Sequence, residues 1–179
     1  MTTTLISLLL WITCCQVGHA FQPPADTTLA KAHLAIGDSL FHEGKFQSCI
    51  QNLTISSSFY QSARQYPDYF KVRKKIFEVY MTVGSFDQAL KTAERTLKES
   101  TQLVTNDSLQ IAEAYECLGR VHSSLENSEK GIEYLNKAIQ IKEQVYGPEH
   151  LQLAMANNSL GVAYGSQNKF KKALHYHHR

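Results

Sequence analysis

"LGVAYGSQNKFKKALHYHHR", residues 160–179, decides the fold, because the chain carries the same pattern twice more without a gap. "LGRVHSSLENSEKGIEYLNKAI" begins at Leu118 and "IFEVYMTVGSFDQALKTAERTL" at Ile76, so Leu118 lies 42 residues from both Ile76 and Leu160. The small residues Ala89, Gly131 and Ala173 keep the same step. A fourth copy, "IGDSLFHEGKFQSCIQNL", begins at Ile36 and places Cys49 at the small position, 40 residues before Ala89. Self-similarity at such a period marks stacked structural repeats.

Within each copy the apolar spacing is helical. Leu160, Ala163 and Tyr164 fall at i, i+3 and i+4, as do Leu118, Val121 and His122, and Ile76, Val79 and Tyr80. Turn signals follow in "HEGK" from His42, "TVGS" from Thr82 and "SQNK" from Ser166. A second amphipathic stretch comes next, with Phe170, Ala173 and Leu174 on one face of the last copy. Each unit therefore reads as a helix, a short turn and a second helix. "QYPDYF" from Gln65, "NDSLQIA" from Asn106 and "YGPEHLQLA" from Tyr146 link successive units. One such helix pair cannot bury its own apolar face, so the units must stack.

The pattern resembles the tetratricopeptide repeat. Leu160-Gly161, Tyr164, Asn168, Phe170 and Ala173 carry the resemblance, as do Tyr80, Gly84, Phe86 and Ala89, and Gly37, Gly44 and Phe46. The third copy departs from it, with His122 for an aromatic, Ser128 for the second aromatic and Gly131 for the small residue, which implies weaker packing there. The 42-residue step is similar to the longer-helix variety found in kinesin light chains and many bacterial repeat proteins. The resemblance implies an all-α, right-handed superhelix (an α-solenoid) whose first helices line a concave groove. It covers residues 29–179 as three full repeats and a truncated fourth, after a linker over 21–28.

The first twenty residues are of another kind. They hold no Lys, Arg, Asp or Glu, and an apolar run extends from Leu5 to about Cys15. That run is shorter than the ~20 residues a bilayer-spanning helix needs. With Gly18 and Ala20 ahead of Phe21, it reads as a signal peptide cleaved after Ala20, and export to a periplasm or out of the cell is expected. Cleavage leaves Cys49 and Cys117, which lie in apolar helical contexts and read as buried small hydrophobes rather than a disulfide framework.

Charge excludes some classes of partner. The formal net charge is +2, so no global field favours nucleic acid or an anionic membrane. No Gly-rich phosphate loop, HExxH or CxxC is present, and no catalytic role, small-molecule substrate or cofactor is expected. His175, His177 and His178 lack the i, i+4 spacing of helical metal ligands. The basic run Lys71, Arg73, Lys74 and Lys75 reads as a solvated face, with a site for an acidic partner as its alternative. Asn52, Asn106 and Asn157 begin Asn-X-Ser/Thr sequons, the last of them inside a helix.

The groove is where function is expected. Lys74 and Glu78, Glu116 and Arg120, and Asn158 and Val162 flank the Leu of the Leu-Gly pair by two residues on either side. Two of these couples carry opposite charges at i, i+4, the spacing of a helix-stabilising ion pair. As a binding face, Asn158 would hold an extended peptide's backbone while the charges select side chains. A non-catalytic interaction scaffold for a protein or peptide partner follows. The alternative is the N-terminal sensory or regulatory part of a longer protein bearing a histidine kinase, a DNA-binding regulator or a caspase-like protease domain. The short last helix implies that Phe170, Ala173 and Leu174 pack back on their own unit. Its far side stays open as an apolar patch prone to self-association, in a chain cut from a longer protein.

Overall fold

The computed structural model describes residues 27–103 and 107–178. The expected signal peptide, most of the linker and the sequon at Asn106 lie outside them. The described residues form eight α-helices. They are α1 (Thr28–His42), α2 (Phe46–Ser62), α3 (Tyr66–Thr82), α4 (Phe86–Leu103), α5 (Ser108–Ser124), α6 (Ser128–Tyr146), α7 (Ala154–Ser166) and α8 (Phe170–His177). A 3-10 turn, Leu151–Leu153, leads into α7. Each helix packs on the next in sequence, and the first helices α3, α5 and α7 also touch in order, so four helix pairs stack into a superhelical array.

The turn inside each unit explains the Gly and Asn of the repeat. Gly44, Gly84, Glu126 and Asn168 all take a positive φ, between 58° and 73°. The next residue's N–H then reaches back to close the helix: Lys45 to Leu40 O, Ser85 to Tyr80 O, Asn127 to His122 O and Lys169 to Tyr164 O, at 2.9–3.0 Å. This is the Schellman closure, in which a left-handed residue lets the chain cap its own carbonyls. Glu126 adopts that conformation despite its Cβ. Asp107 caps α5, its Oδ1 accepting from the N–H groups of Leu109 and Gln110 at 3.1 and 3.3 Å.

Helix crossings are set by complementary volumes sixteen residues apart. A Cβ on Gly37 would lie 2.8 Å from Leu53 Cδ2, and one on Gly119 would lie 2.5 Å from Leu135 Cγ. In the second unit the sizes are exchanged: Phe77 and Ala93 occupy those positions, each 1% exposed. Gly161 faces the His177 ring, 2.7 Å from where its Cβ would be. The small residues Cys49, Ala89, Gly131 and Ala173 are all buried at these crossings. Cys49 and Cys117 are free thiols, and burial pushes Cys117 up to about 12.

Two expectations about packing are corrected. The third unit is not loosely packed, for a Cβ on Gly131 would lie 2.9 Å from the Gly119 carbonyl, so α5 and α6 approach backbone to backbone. His122 fills the aromatic place, stacked on Tyr134 with centroids 5.6 Å apart. Nor do Phe170 and Leu174 pack back on their own unit; they are 68% and 59% exposed, and only Ala173 is buried. Leu174 is in register with Ile50, Leu90 and Ile132, which are half-buried against the cores they adjoin. Asn157, the sequon residue expected inside a helix, lies in α7, and at 1% exposure it is not offered for modification by the folded chain.

His122 gives the stack a pH dependence. It is buried, its Nε2 has no hydrogen-bond partner, and burial together with Lys130 depresses its pKa below 6.5, against a smaller opposing effect of Glu94. The unfolded chain therefore takes up a proton first as pH falls through about 6.5, and stability is lost below that point. His122→Tyr removes the titration while keeping a stacking ring. The urea midpoint of this variant is expected to drop less than that of the parent between pH 7.5 and 5.5; equal drops would refute the assignment.

Candidate partner-binding face

The first helices carry one line of positions in exact register. Asp38, Glu78, Arg120 and Val162 follow at steps of 40, 42 and 42 residues, and Leu34, Lys74, Glu116 and Asn158 run parallel one turn earlier. Two concavities lie along that line. One, of about 380 Å³, is bounded by Met81 of α3, Arg120, Ser123 and Ser124 of α5, and Asn158, Ser159, Val162 and Ser166 of α7. The other, of about 130 Å³, is bounded by Asp38 and Phe41 of α1, Cys49 and Leu53 of α2, and Lys75, Glu78 and Val79 of α3.

Of the six residues singled out by spacing, Arg120, Asn158 and Val162 border the larger concavity and Glu78 the smaller. The charged couples do not pair within their own helices. Arg120 grips Glu78 of the preceding unit with both guanidinium nitrogens, the Nη2–Oε2 distance being 2.9 Å. The Glu78 hydrogen bonds hold the guanidinium pKa above its usual range. Lys74 Nζ lies 3.4 Å from Glu113 Oε1 on α5. Burial opposes the Lys74 charge, but Glu113 and Glu116 outweigh it and raise its pKa. Glu116 is corrected as a groove residue: it is 2% exposed, and its Oε2 accepts from Lys142 Nζ of α6 at 2.5 Å.

The face is thus neutralised from within. Asp38 pairs with Lys75 at 2.6 Å across α1 and α3, a contact that the 40-residue step to Glu78 could have signalled. The basic run is likewise absorbed. Lys71 meets Asp68 at 3.5 Å, and Arg73 Nη2 donates to the Thr92 carbonyl at 3.4 Å. The groove hydroxyls were missed because serine carries little sequence signal. Ser123, Ser124, Ser159 and Ser166 donate to carbonyls of their own helices at 2.9–3.3 Å. Ser123 Oγ sits at the α5–α6 crossing beside Gly131, and Ser166 Oγ lies 2.8 Å from Ser128 Oγ of α6, so Ser124 and Ser159 are the ones that keep acceptor capacity for a ligand. Asn158 Oδ1 meets His177 Nδ1 at 3.1 Å, which leaves the Asn158 amide N–H₂ to donate. Val162 is 56% exposed between them. Among the described residues no group of three His, Cys, Asp or Glu side chains is placed to hold a metal, and no helix is long and apolar enough to cross a membrane.

Comparison with known proteins supports the repeat. The family model described as tetratricopeptide repeat matches residues 110–179. Tetratricopeptide repeat protein 29 of Macaca fascicularis is 21% identical over 158 residues, covering 88% of this chain and 32% of its own length. The chain thus spans about a third of that curated relative. The apo form of RapI superposes with a TM-score of 0.72 at 15% identity, over 84% of this chain and 41% of that one. A kinesin light chain-type protein of Podosopora anserina with TPR-like repeats superposes at 0.65 and 15% identity, over 97% of this chain and 82% of that one. At such identities the likeness shows the fold alone.

Proposed function

We propose that this chain, a tetratricopeptide repeat protein, is a non-catalytic scaffold that binds a partner protein through an extended segment laid along its first helices. The observation that carries the reading is the registered line Asp38, Glu78, Arg120 and Val162, which borders both concavities and crosses three helix–helix junctions. A repeat surface of this kind presents successive side chains to an elongated ligand rather than a closed pocket to a small one. Burial supports the same reading: Val162 and Asn158 are exposed, whereas the flanking Leu160 and Gly161 are committed to the core.

Val162→Arg tests it. The substitution puts a long cation into the larger concavity without touching the core. Partners captured from the native extract by the parent chain are expected to fall about tenfold or more in the variant, while its far-ultraviolet circular dichroism and melting stay unchanged. A captured set indifferent to Val162→Arg would place binding on another surface.

A further inference from the structure

The two concavities differ in chemistry, and that difference specifies a ligand. The smaller one has an apolar floor of Phe41, Leu53, Val79 and Cys49. Its volume of about 130 Å³ suits one aliphatic side chain; a dry cavity of about 150 Å³ holds a single benzene. Its rim is the Asp38–Lys75 ion pair and Glu78. The larger one offers the lone pairs of the Ser124 and Ser159 hydroxyls, the Asn158 amide, and the apolar surfaces of Met81 and Val162. The cations and anions that border the two sites are paired with each other across helices.

Charge therefore argues for a neutral occupant. An acidic segment meets serine oxygens that have already donated their protons, and the cation in the larger site, Arg120, is held bidentately by Glu78. A basic segment would lie against that same guanidinium and Lys75. Neutral donors such as backbone N–H and side-chain amides match the lone pairs directly.

Distance fixes the spacing. The smaller site lies among α1, α2 and α3; the larger reaches Met81 of α3, but its amide and hydroxyls are on α5 and α7, two first-helix steps along the register line. Neighbouring helices pack about 8–10 Å apart, so the sites are about 16–20 Å apart. An extended chain covers that in five or six residues at about 3.3 Å each.

Resting on the scaffold reading above, we infer that the partner segment is an uncharged extended peptide. It seats one aliphatic side chain between α1, α2 and α3, and five or six residues away presents Asn or Gln to the hydroxyls and amide between α5 and α7. The Glu78–Arg120 pair forms the sill over which it passes.

The probe is a displayed library of random dodecapeptides selected on the full chain, followed by synthetic versions of the enriched sequences. Enriched peptides are expected to carry Leu, Ile, Val or Met five or six residues from Asn or Gln. Changing the aliphatic residue to Ala should weaken binding about tenfold or more, as expected for losing one buried aliphatic side chain. Phe41→Trp fills the smaller cavity from α1, and Val79→Leu does so from α3. In whichever variant keeps the parent circular dichroism, the aliphatic preference should disappear. If peptides are enriched and lost on Val162→Arg, yet show no aliphatic dependence or require charged side chains, this inference fails and the scaffold reading stands. If no enriched peptide responds to Val162→Arg, the groove reading fails with it.

Discussion

Replacing Lys142 with methionine is expected to cost the folded chain about 3–5 kcal/mol, although the substitution keeps nearly the same volume. Lys142 is 4% exposed and Glu116 is 2% exposed, so neither charge has water to fall back on. The Nζ–Oε2 contact of 2.5 Å joins α6 to α5, and the same ammonium donates to the Gln152 carbonyl at 3.3 Å, tying down the 3-10 turn that leads into α7. Methionine leaves the Glu116 carboxylate buried and unpaired, and Glu116→Gln leaves the ammonium in the same position. Removing both charges together is a different case. Two apolar residues of similar size need no desolvation of ions, so Glu116→Leu with Lys142→Met should be close to neutral or stabilising by about 1–4 kcal/mol. Urea titration reads this directly: with slopes of about 1–3 kcal/mol/M, the single variants should lose more than about 1 M in midpoint and the double variant should regain it. A single variant within about 0.2 M of the parent would show that the pair contributes nothing in the interior.

That pair also shows where sequence stopped being informative. Helix pairs, their turns and the small crossing residues were legible, because each depends on neighbours within one unit. The 3.6-residue period, the left-handed Gly44 and Gly84, and the 42-residue step all lie in contiguous chain. The groove was legible as a line of positions but not as a set of interactions. Lys74 with Glu78, and Glu116 with Arg120, satisfy the i, i+4 rule, yet a neighbouring repeat supplies an opposite charge as close as the same helix does. Arg120 found Glu78 forty-two residues away, and Glu116 found Lys142 on the second helix of its own unit. Lys142 sits in "NKAIQIKEQVY", a stretch whose charge suggests solvent; only packing against α5 and the 3-10 turn buries it. Asn158 and Val162 remained exposed because their unit has no charge at the positions that pair elsewhere.

The exchanged crossing in the second unit gives the other large effect, and it is expected to be strongly non-additive. Phe77 is 1% exposed at the position held by glycine in the other three units, and Ala93 opposite it stands where Leu53 and Leu135 stand. Phe77→Gly should cost about 3–5 kcal/mol for the deleted ring, with about 1 kcal/mol more for glycine inside a helix. It also removes the ring beneath the Arg120 guanidinium, whose carbon lies 5.4 Å from the centroid. Ala93→Leu alone forces a branched side chain against that ring and should cost about 1–3 kcal/mol by overpacking. Combined, the two changes recreate the arrangement of Gly37 with Leu53 and of Gly119 with Leu135, where the leucine lies against the glycine backbone. The leucine then occupies the space that the ring vacated, so the second substitution should stabilise in the presence of the first. A double-mutant cycle by urea denaturation is expected to show a coupling of about 2–3 kcal/mol, at the upper end of the range for residues in contact. Costs that add to within about 0.5 kcal/mol would mean that the two positions are filled independently, and that exchanged volume is not what fixes the α3–α4 crossing.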